Sequence, residues 1–259
     1  MSDALIDKCR VCGGASRYAF SQPVLRRSVR YFDCGVCGYV QTQMPDWLEE
    51  AYAHVINEVD TGIMMRNQLN VHRVVMSLLA LGRLSGLVVD HAGGYGILVR
   101  MLRDIGIEAR WRDKYCENLL ARGFEVTDKH CDLLTAFEVF EHFVNPLQEL
   151  TLMLEDSPSV LLSTELITSK ETPPSDWWYY GPEHGQHVGF FRPSTLGWMA
   201  RKLSCHYASD GISLHLFSRT PIPRSWLPLI KLRRFAPIAA RFSLRSKTIE
   251  DFERLRKLR

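Results

Sequence analysis

The feature that most constrains this chain is a short apolar run that ends in an acid and a glycine-dense turn. Residues 87–102 read Leu-Val-Val-Asp-His-Ala-Gly-Gly-Tyr-Gly-Ile-Leu-Val-Arg-Met-Leu. The apolar run predicts a buried strand of a parallel sheet, and the residues after Gly96 predict an amphipathic helix. Glycines let a ligand approach the main chain, and a helix N-terminus offers free N–H groups. The stretch therefore predicts a cradle for a nucleotide or nucleoside; the alternative is a plain strand–turn–helix with a tight connection.

Strand and helix patterns alternate along the rest of the chain. Further strands are predicted at 108–112, 123–126, 131–137, 159–164 and 212–218. Helices are predicted at about 61–84, 115–122, 146–155 and 193–203, with a capped helix start at 45–52. Gly86 is expected to end the long helix before the first strand of the series. This alternation predicts a doubly wound parallel sheet with right-handed crossovers.

An acid follows the second predicted strand. In doubly wound sheets, ligands bind outside the carboxyl ends of the strands, near the switch point. Asp113 lies about 20 residues after Asp90, the spacing at which an acid can accept the hydroxyls of a ribose bound over the first turn. We therefore predict a ribose-binding role for Asp113, with an ordinary exposed acid as the alternative.

Two cysteine pairs near the N-terminus have metal-ligand spacing. Cys9-Arg-Val-Cys12-Gly and Cys34-Gly-Val-Cys37-Gly each place two thiols on one tight turn. Together they supply four thiolates, a closed tetrahedral set for a structural zinc ion, and strands are predicted between them at 17–20 and 29–32. The pattern predicts a zinc ribbon; a redox dithiol pair and coincidence are the alternatives.

Composition bounds the remaining choices. The chain has 259 residues, of which 46% are hydrophobic and 24% charged, as in globular domains. No apolar run reaches the ~18 residues that a membrane span needs, and the N-terminus has no signal-like pattern. We therefore expect a cytoplasmic protein with reduced thiols and no transmembrane segment. The seven cysteines then suit metal ligands and buried positions better than disulfides.

Charge and pattern suggest four regions. These are a zinc-binding ribbon (1–45), a helical linker or lid (46–86), a main domain (87–220) with an insert at 168–192, and a basic amphipathic tail (221–259). The net charge is +3, and the basic surplus is confined to the tail. A solvated helical tail is the default expectation; docking on the domain, contact with a membrane surface or anionic partner, and assembly are alternatives.

The insert after the fifth predicted strand of the main domain carries aromatic and proton-accepting residues. Aromatic faces suit stacking on a sugar ring or base, so we predict substrate contacts from Trp177, Trp178, Tyr179 and Tyr180. Removal of a proton from a hydroxyl suits His or Glu, so the candidate catalytic residues are His187, His184, Glu183 and His142. The alternative is a packed loop whose histidines are structural, or, for His142, a contact at a helix N-terminus.

These residues resemble the class I S-adenosylmethionine-dependent methyltransferases. The segment 90–96 is similar to their D-x-G-x-G-x-G motif, and 131–142 resembles their fourth-strand motif with its trailing Glu-His. The resemblance implies a Rossmann-like, mostly parallel seven-stranded sheet and S-adenosylmethionine as cofactor. It implies cofactor contacts from Asp90, Ala92, Gly93, Gly94, Tyr95, Gly96, Asp113, Lys114, Phe137 and Glu138. Ala92 replaces the first motif glycine, and alanine fits there if its φ is negative.

A narrower likeness joins the cysteine module to the main domain. An N-terminal four-cysteine module on such a domain resembles the sugar methyltransferases, including those that methylate carbon of nucleotide-linked deoxysugars. Their E-H-x-x-x-F-S pattern is matched by the segment 186–194, but Gln186 stands where the family has glutamate. Because glutamine cannot act as a base, its presence favours O-methylation over C-methylation as the predicted reaction.

Three functions follow from these features. The first is methyl transfer to a small molecule, a sugar or nucleotide-linked sugar, with a histidine base. The second is an RNA methyltransferase that uses the ribbon and basic tail, which the acidic balance of residues 1–220 disfavours. The third is a protein that binds S-adenosylmethionine without catalysis. The oligomeric state is not predicted.

Overall fold

The computed structural model describes residues 6–53, 61–127 and 130–257. Its strands are β1 (Ile6–Lys8), β2 (Ala15–Val24), β3 (Arg27–Cys34), β4 (Val40–Thr42), β5 (Leu87–His91), β6 (Glu108–Arg112), β7 (Leu133–Ala136), β8 (Ser159–Ser163), β9 (Gly189–Phe190), β10 (His206–Ser209) and β11 (Leu214–Ser218). Its helices are α1 (Leu48–Ala51), α2 (Ile63–Leu81), α3 (Ile97–Asp104), α4 (Pro146–Asp156), α5 (Pro193–Lys202), α6 (Trp226–Lys231), α7 (Ala236–Ser243) and α8 (Thr248–Lys257). No helix among the described residues is long and apolar enough to cross a membrane.

The N-terminal strands form an antiparallel sheet in the order β1-β2-β3-β4-β9. The two strands predicted between the cysteine pairs lie within β2 and β3, which pair along most of their length. β9 closes the sheet, with Phe190 opposite Val40. A residue from the predicted insert thereby becomes part of the cysteine-bearing sheet.

A second sheet has six strands in the order β10-β11-β8-β7-β5-β6. β5 pairs in parallel with β6 on one side and with β7 on the other, which sets Asp90 opposite Trp111 and Thr135. The mixed α/β fold with parallel strands is therefore confirmed. A seventh strand is absent from this sheet in the described part of the chain, since the predicted strand at 123–126 contributes a single parallel bridge, Trp111 to Glu125.

The predicted helix at 115–122 is wrong. Asp113 accepts hydrogen bonds from the backbone N–H groups of Tyr115 and Cys116, and the side chain of Asn118 accepts one from Ala121. Side chains of this kind compete with helical hydrogen bonding and favour turns. The connection is consequently an irregular loop, and too few residues remain in extended form to build the missing strand.

By contacts the chain divides into two compact units. The first comprises residues 1–57, 138–152 and 162–217, and the second 58–137, 153–161 and 218–259. An aromatic core built around Tyr31, Trp47, Tyr180 and Phe190 fills the first unit. These two units are defined by contacts within the fold, whereas the four regions of the sequence analysis were defined by charge and pattern. The division into four regions stays a prediction.

The second unit contains α2, α3, β5–β7 and the C-terminal helices. α2 ends at Gly82, which adopts a left-handed φ of +65°, rather than at Gly86. The expectation of a solvated tail is wrong. The indole of Trp226 is 1% exposed and donates to Ser77 on α2, and the buried carboxylate of Asp251 pairs with the buried Arg103.

Candidate active site

The glycine-dense turn connects β5 to α3 within the second unit. Asp90, the penultimate residue of β5, is buried, and it accepts a hydrogen bond of 2.7 Å from the Thr135 hydroxyl on the neighbouring strand. Burial raises the pKa of the Asp90 carboxyl to about 7; the Thr135 hydrogen bond lowers it, and the charge of Asp113 raises it further. Asp90 is thus a buried polar group directly before the glycine-dense turn.

The turn itself consists largely of left-handed residues. Gly94 and Gly96 have φ values of +53° and +83°, and Ala92 has a φ of +56°. Ala92 therefore does not meet the condition of a negative φ under which an alanine fits this position, because it adopts the left-handed conformation that favours glycine. Gly93 is required for space: a Cβ there would lie 2.8 Å from a carboxylate oxygen of Asp90. Gly93 thus allows the turn to pack closely against Asp90 and Trp111.

Asp113 lies against this turn. One carboxylate oxygen accepts from the N–H of Gly94 at 2.9 Å, and the other accepts from Tyr115 and Cys116. An ionised carboxylate offers about four acceptor sites, so Asp113 retains capacity for a hydroxyl ligand. The sequence argument missed Trp111, whose indole donates to the carbonyl of Gly94 at 2.8 Å. Its only sequence signal is its place near the end of β6, the strand that Asp113 follows.

The remaining predicted cradle residues are more exposed. Tyr95 is partly exposed, and its carbonyl accepts from Leu119 and Leu120. The ammonium group of Lys114 lies 5.2 Å from the ring centroid of Tyr115. Phe137 follows β7 and is half-buried. Glu138 belongs to the first unit and has a φ of +53°. Its backbone N–H donates to the Ser163 hydroxyl, which in turn donates to the Glu138 carboxylate.

A second group of functional side chains lies in the first unit. Glu141 and His142 occupy a short 3-10 helix, Phe140–His142, and His187 comes from the segment before β9. One carboxylate oxygen of Glu141 lies 4.0 Å from Nε2 of His142 and 3.9 Å from Nε2 of His187. We call these three residues the Glu–His cluster.

Hydrogen bonds orient the two imidazoles. His187 donates from Nδ1 to the Tyr179 carbonyl at 2.6 Å, which leaves Nε2 without a proton in the neutral ring and directed at Glu141. Nδ1 of His142 bonds the Tyr52 hydroxyl at 3.0 Å. Both carboxylate oxygens of Glu141 are buried, and neither has a partner at hydrogen-bond distance within the described ranges of the chain. Three polar groups therefore converge on one point with an unsatisfied carboxylate among them.

The electrostatics of the cluster follow from its burial. Burial raises the pKa of Glu141 to about 8, and the charge of Glu138 adds to this, while the nearby hydroxyls of Thr164 and Tyr179 lower it. Burial lowers the pKa of His187 to about 4, against the opposing effect of its bond to Tyr179. The pKa of His142 is also lowered by burial and by the neighbouring imidazoles. Both histidines are consequently neutral at pH 7 and able to accept a proton.

The other predicted catalytic residues lie apart from the point of convergence. The ring of His184 is 4.7 Å from that of His187 between centroids, and its Nδ1 accepts from the backbone N–H of Gln186. The side chain of Gln186 donates to the carbonyl of Ala51. Glu183 is exposed on the surface. Of the four candidates, the structure brings His142 and His187 together, and it adds Glu141, whose only sequence signal was the Glu-His pair after β7.

The predicted aromatic contacts divide into two pairs. Tyr179 and Tyr180 are buried in the core, where their hydroxyls bond Thr164 and the carbonyl of Pro173. Trp177 is half-buried, whereas Trp178 is 71% exposed. Tyr179 lies against the ring of His187. Trp177 packs on the aromatic core, so only Trp178 presents a largely exposed ring.

The four knuckle cysteines come together in the first unit. Their sulfurs lie 3.6 Å apart between Cys9 and Cys37 and 3.5 Å apart between Cys12 and Cys34. All four thiols lie within 4.8 Å of one another. Sulfur ligands of tetrahedral zinc, at about 2.3 Å from the ion, stand about 3.8 Å apart. The donor set and its spacing fit a structural zinc ion.

Comparison with known proteins identifies the domain. A family model described as a methyltransferase domain matches residues 65–206, more than half of the chain. A comparison with curated proteins gives no match.

Solved structures with a similar fold share few identical residues with the chain. An O-methyltransferase family protein from Burkholderia thailandensis is 16% identical with a TM-score of 0.47, and the alignment covers 66% of this chain and 62% of that protein. The 1,6-didemethyltoxoflavin-N1-methyltransferase of Burkholderia thailandensis is 12% identical with a TM-score of 0.47, and the alignment covers 77% of this chain and 97% of that protein. The magnesium protoporphyrin IX methyltransferase of Synechocystis PCC 6803 is 16% identical with a TM-score of 0.43, and the alignment covers 66% of this chain and 93% of that protein.

Proposed function

Since the chain belongs to the methyltransferase-domain family, as an S-adenosylmethionine-dependent enzyme, we propose that it methylates a hydroxyl of a small molecule, a sugar or nucleotide-linked sugar. The observation that supports this most directly is the Glu–His cluster, whose neutral histidines converge with a buried, unsatisfied carboxylate. Such a group suits the removal of a proton from an uncharged acceptor. The exposed ring of Trp178 and the half-buried ring of Trp177 suit a sugar face.

We assign cofactor binding to the glycine-dense turn. Gly93 lets the turn pack against Asp90 without a clashing Cβ, and Asp113 can accept a ribose hydroxyl through its remaining acceptor capacity. Tyr95, Gly96 and the N-terminus of α3 complete the polar lining, with Lys114, Phe137 and Glu138 as further candidates. The bound cofactor supplies an electrophilic methyl group on its sulfonium sulfur.

Proton removal is assigned to His187. Its Nδ1 proton is held by the Tyr179 carbonyl, so the free electron pair of neutral His187 is on Nε2. When this atom takes the acceptor proton, Glu141 at 3.9 Å stabilises the imidazolium in those molecules whose Glu141 is ionised, a fraction that grows as the pH rises toward its pKa of about 8. The hydrogen bond to the Tyr179 carbonyl raises the pKa of His187 against the effect of burial. His142, whose Nδ1 bonds the Tyr52 hydroxyl, is the second candidate base. His184 and Glu183 are the remaining candidates.

The decisive experiment compares His187→Gln with His206→Gln, a control at an exposed histidine of the same unit. Methyl transfer to a panel of free and nucleotide-linked sugars is measured, with cofactor affinity determined by calorimetry. Loss of a general base lowers kcat by about 10²- to 10⁴-fold, while cofactor affinity and the control variant stay at the wild-type level. Full turnover by His187→Gln would move the base to His142 or His184.

The pH profile gives a second check. A general base acts in its deprotonated form, and the pKa of His187 is lowered to about 4. We therefore expect no acid limb of kcat/KM centred on 6.5: the limb of His187 lies below about pH 5, and ionisation of Glu141, whose pKa is raised to about 8, increases kcat/KM as the pH rises toward 8. An acid limb centred on 6.5 would assign the base to a solvent-exposed histidine.

The cysteine knuckles are proposed to hold one structural zinc ion. Four thiolates leave no open ligand position, so no catalytic step is assigned to this metal. Metal analysis is expected to return one zinc per chain, and Cys34→Ser should lose it. Complete retention of the fold of residues 6–42 after removal of the metal by a strong chelator would contradict a structural role.

A further inference from the structure

The basic tail contains a segment that the methyl-transfer function leaves unexplained. Residues 231–245 hold five Lys or Arg and no Asp or Glu. They cover the end of α6, a 3-10 turn and α7. One side of this segment is fixed to the protein, because Trp226, Ile230, Ala236 and Ala240 are buried, and α6 and α7 pack on α2. The segment is therefore an ordered surface element of the second unit.

The other side of the segment is apolar and exposed. Leu232, Phe235, Ile238 and Phe242 are 45%, 43%, 55% and 85% exposed. They recur at intervals of three and four residues, so they lie along one side of the helical path. Single exposed apolar residues are ordinary, but an aligned row of four large ones marks an interaction surface.

Cations flank this row. Lys231, Arg234, Arg241 and Arg245 are exposed, and the guanidinium of Arg234 lies 4.8 Å from the ring centroid of Phe235. We call these four cations and the four apolar side chains the basic–apolar stripe. Apolar side chains that point outward between long cationic ones are the pattern of helices that lie in the interface of a bilayer.

We infer that the basic–apolar stripe binds the surface of a membrane that contains anionic lipids. The apolar row enters the boundary between headgroups and acyl chains, and the cations pair with lipid phosphates. A symmetric contact with a second copy would bring two sets of cations together, and an RNA backbone would leave the apolar row in water. Charge complementarity and apolar burial are satisfied together by an anionic lipid surface.

The test uses the full chain and vesicles, without an acceptor. Co-sedimentation is measured with vesicles of phosphatidylcholine alone and of phosphatidylcholine with phosphatidylglycerol in equal parts. Binding is expected to the anionic vesicles and to weaken with added salt. A variant with Phe235→Ser, Ile238→Ser and Phe242→Ser should lower the partition coefficient by about tenfold or more. Arg234→Gln with Arg241→Gln should remove most of the preference for anionic lipid.

A matched control distinguishes binding by the basic–apolar stripe from non-specific binding of exposed apolar side chains. Ile249 and Phe252 on α8 are 72% and 61% exposed but lie beside Glu250 and Glu253, so Ile249→Ser with Phe252→Ser should bind vesicles like the wild type. Equal vesicle binding by the triple serine variant and the wild type would overturn the inference. A dimer seen by light scattering that dissociates in that variant would also overturn it, as would tighter retention on RNA than on anionic vesicles. Cofactor binding and turnover are independent of these outcomes.

Discussion

The proposed cofactor cradle (residues 90–96 with Asp113) and the Glu–His cluster differ in how their polar groups are satisfied. In the cradle, Asp113 accepts hydrogen bonds from three backbone N–H groups, and Asp90 accepts one from the Thr135 hydroxyl. In the cluster, Glu141 is fully buried, and neither of its oxygens has a partner at hydrogen-bond distance among the residues that the structure describes. Buried polar groups in proteins are nearly always paired, so an orphaned carboxylate is a costly exception. The cradle is therefore a self-supporting turn, whereas the cluster is a strained arrangement whose missing partner is expected to be a ligand.

The largest test of this difference is Glu141→Gln. The substitution keeps the shape and removes the charge, so we expect kcat to fall by about 10- to 100-fold because the imidazolium of His187 loses its counter-charge. The same change should raise the free energy of unfolding by about 1–3 kcal/mol at pH 8, since an unpaired buried charge disappears. Steady-state kinetics and urea unfolding measure the two effects.

The pH dependence of the free energy of unfolding provides an internal control for Glu141→Gln. Burial raises the folded-state pKa of Glu141 to about 8, above its ordinary value of 4.5. Between these two values the folded state binds more protons than the unfolded state, so its stability falls as pH rises. At pH 5 the carboxyl is protonated in the folded protein, and the gain from glutamine should shrink. An equal gain at pH 5 and pH 8 would mean that Glu141 is not titrating as a buried group.

The same contrast explains what the sequence could reveal. The cradle is contiguous, residues 90–96 with Asp113 one strand later, so local spacing and glycine content predicted it. The cysteine set was likewise visible, since each knuckle lies within five residues. The Glu–His cluster contains residues about 45 positions apart, from a 3-10 helix and from the segment before β9. No local sequence pattern predicts that these residues lie together. The segment 115–122 was predicted as a helix, whereas hydrogen bonds to the side chains of Asp113 and Asn118 decide its conformation.

A smaller effect is expected at Asp113, the residue that ties the cradle to its loop. Asp113→Ala should weaken cofactor binding by about 1–3 kcal/mol through lost charge-assisted hydrogen bonds. Part of any loss will come from loosening of the turn, so the measurement uses calorimetry with the demethylated cofactor product and its 2′-deoxy analogue. If Asp113 accepts the ribose hydroxyl, the wild type discriminates between the two ligands and the variant does not. Glu117→Gln, at an exposed acid of the same loop, is the matched control.

The smallest expected effect concerns backbone strain in the cradle. Ala92 has a φ of +56°, where an alanine costs about 1 kcal/mol more than a glycine, so Ala92→Gly should raise the free energy of unfolding by up to that amount. The gain is reduced because glycine also widens the unfolded ensemble. Gly93→Ala is the opposing control, since its Cβ would lie 2.8 Å from Asp90 and must destabilise the turn. If Ala92→Gly proved destabilising, the left-handed conformation at this position would be incorrect, and with it the inference that the cradle stores strain beside its ligand space.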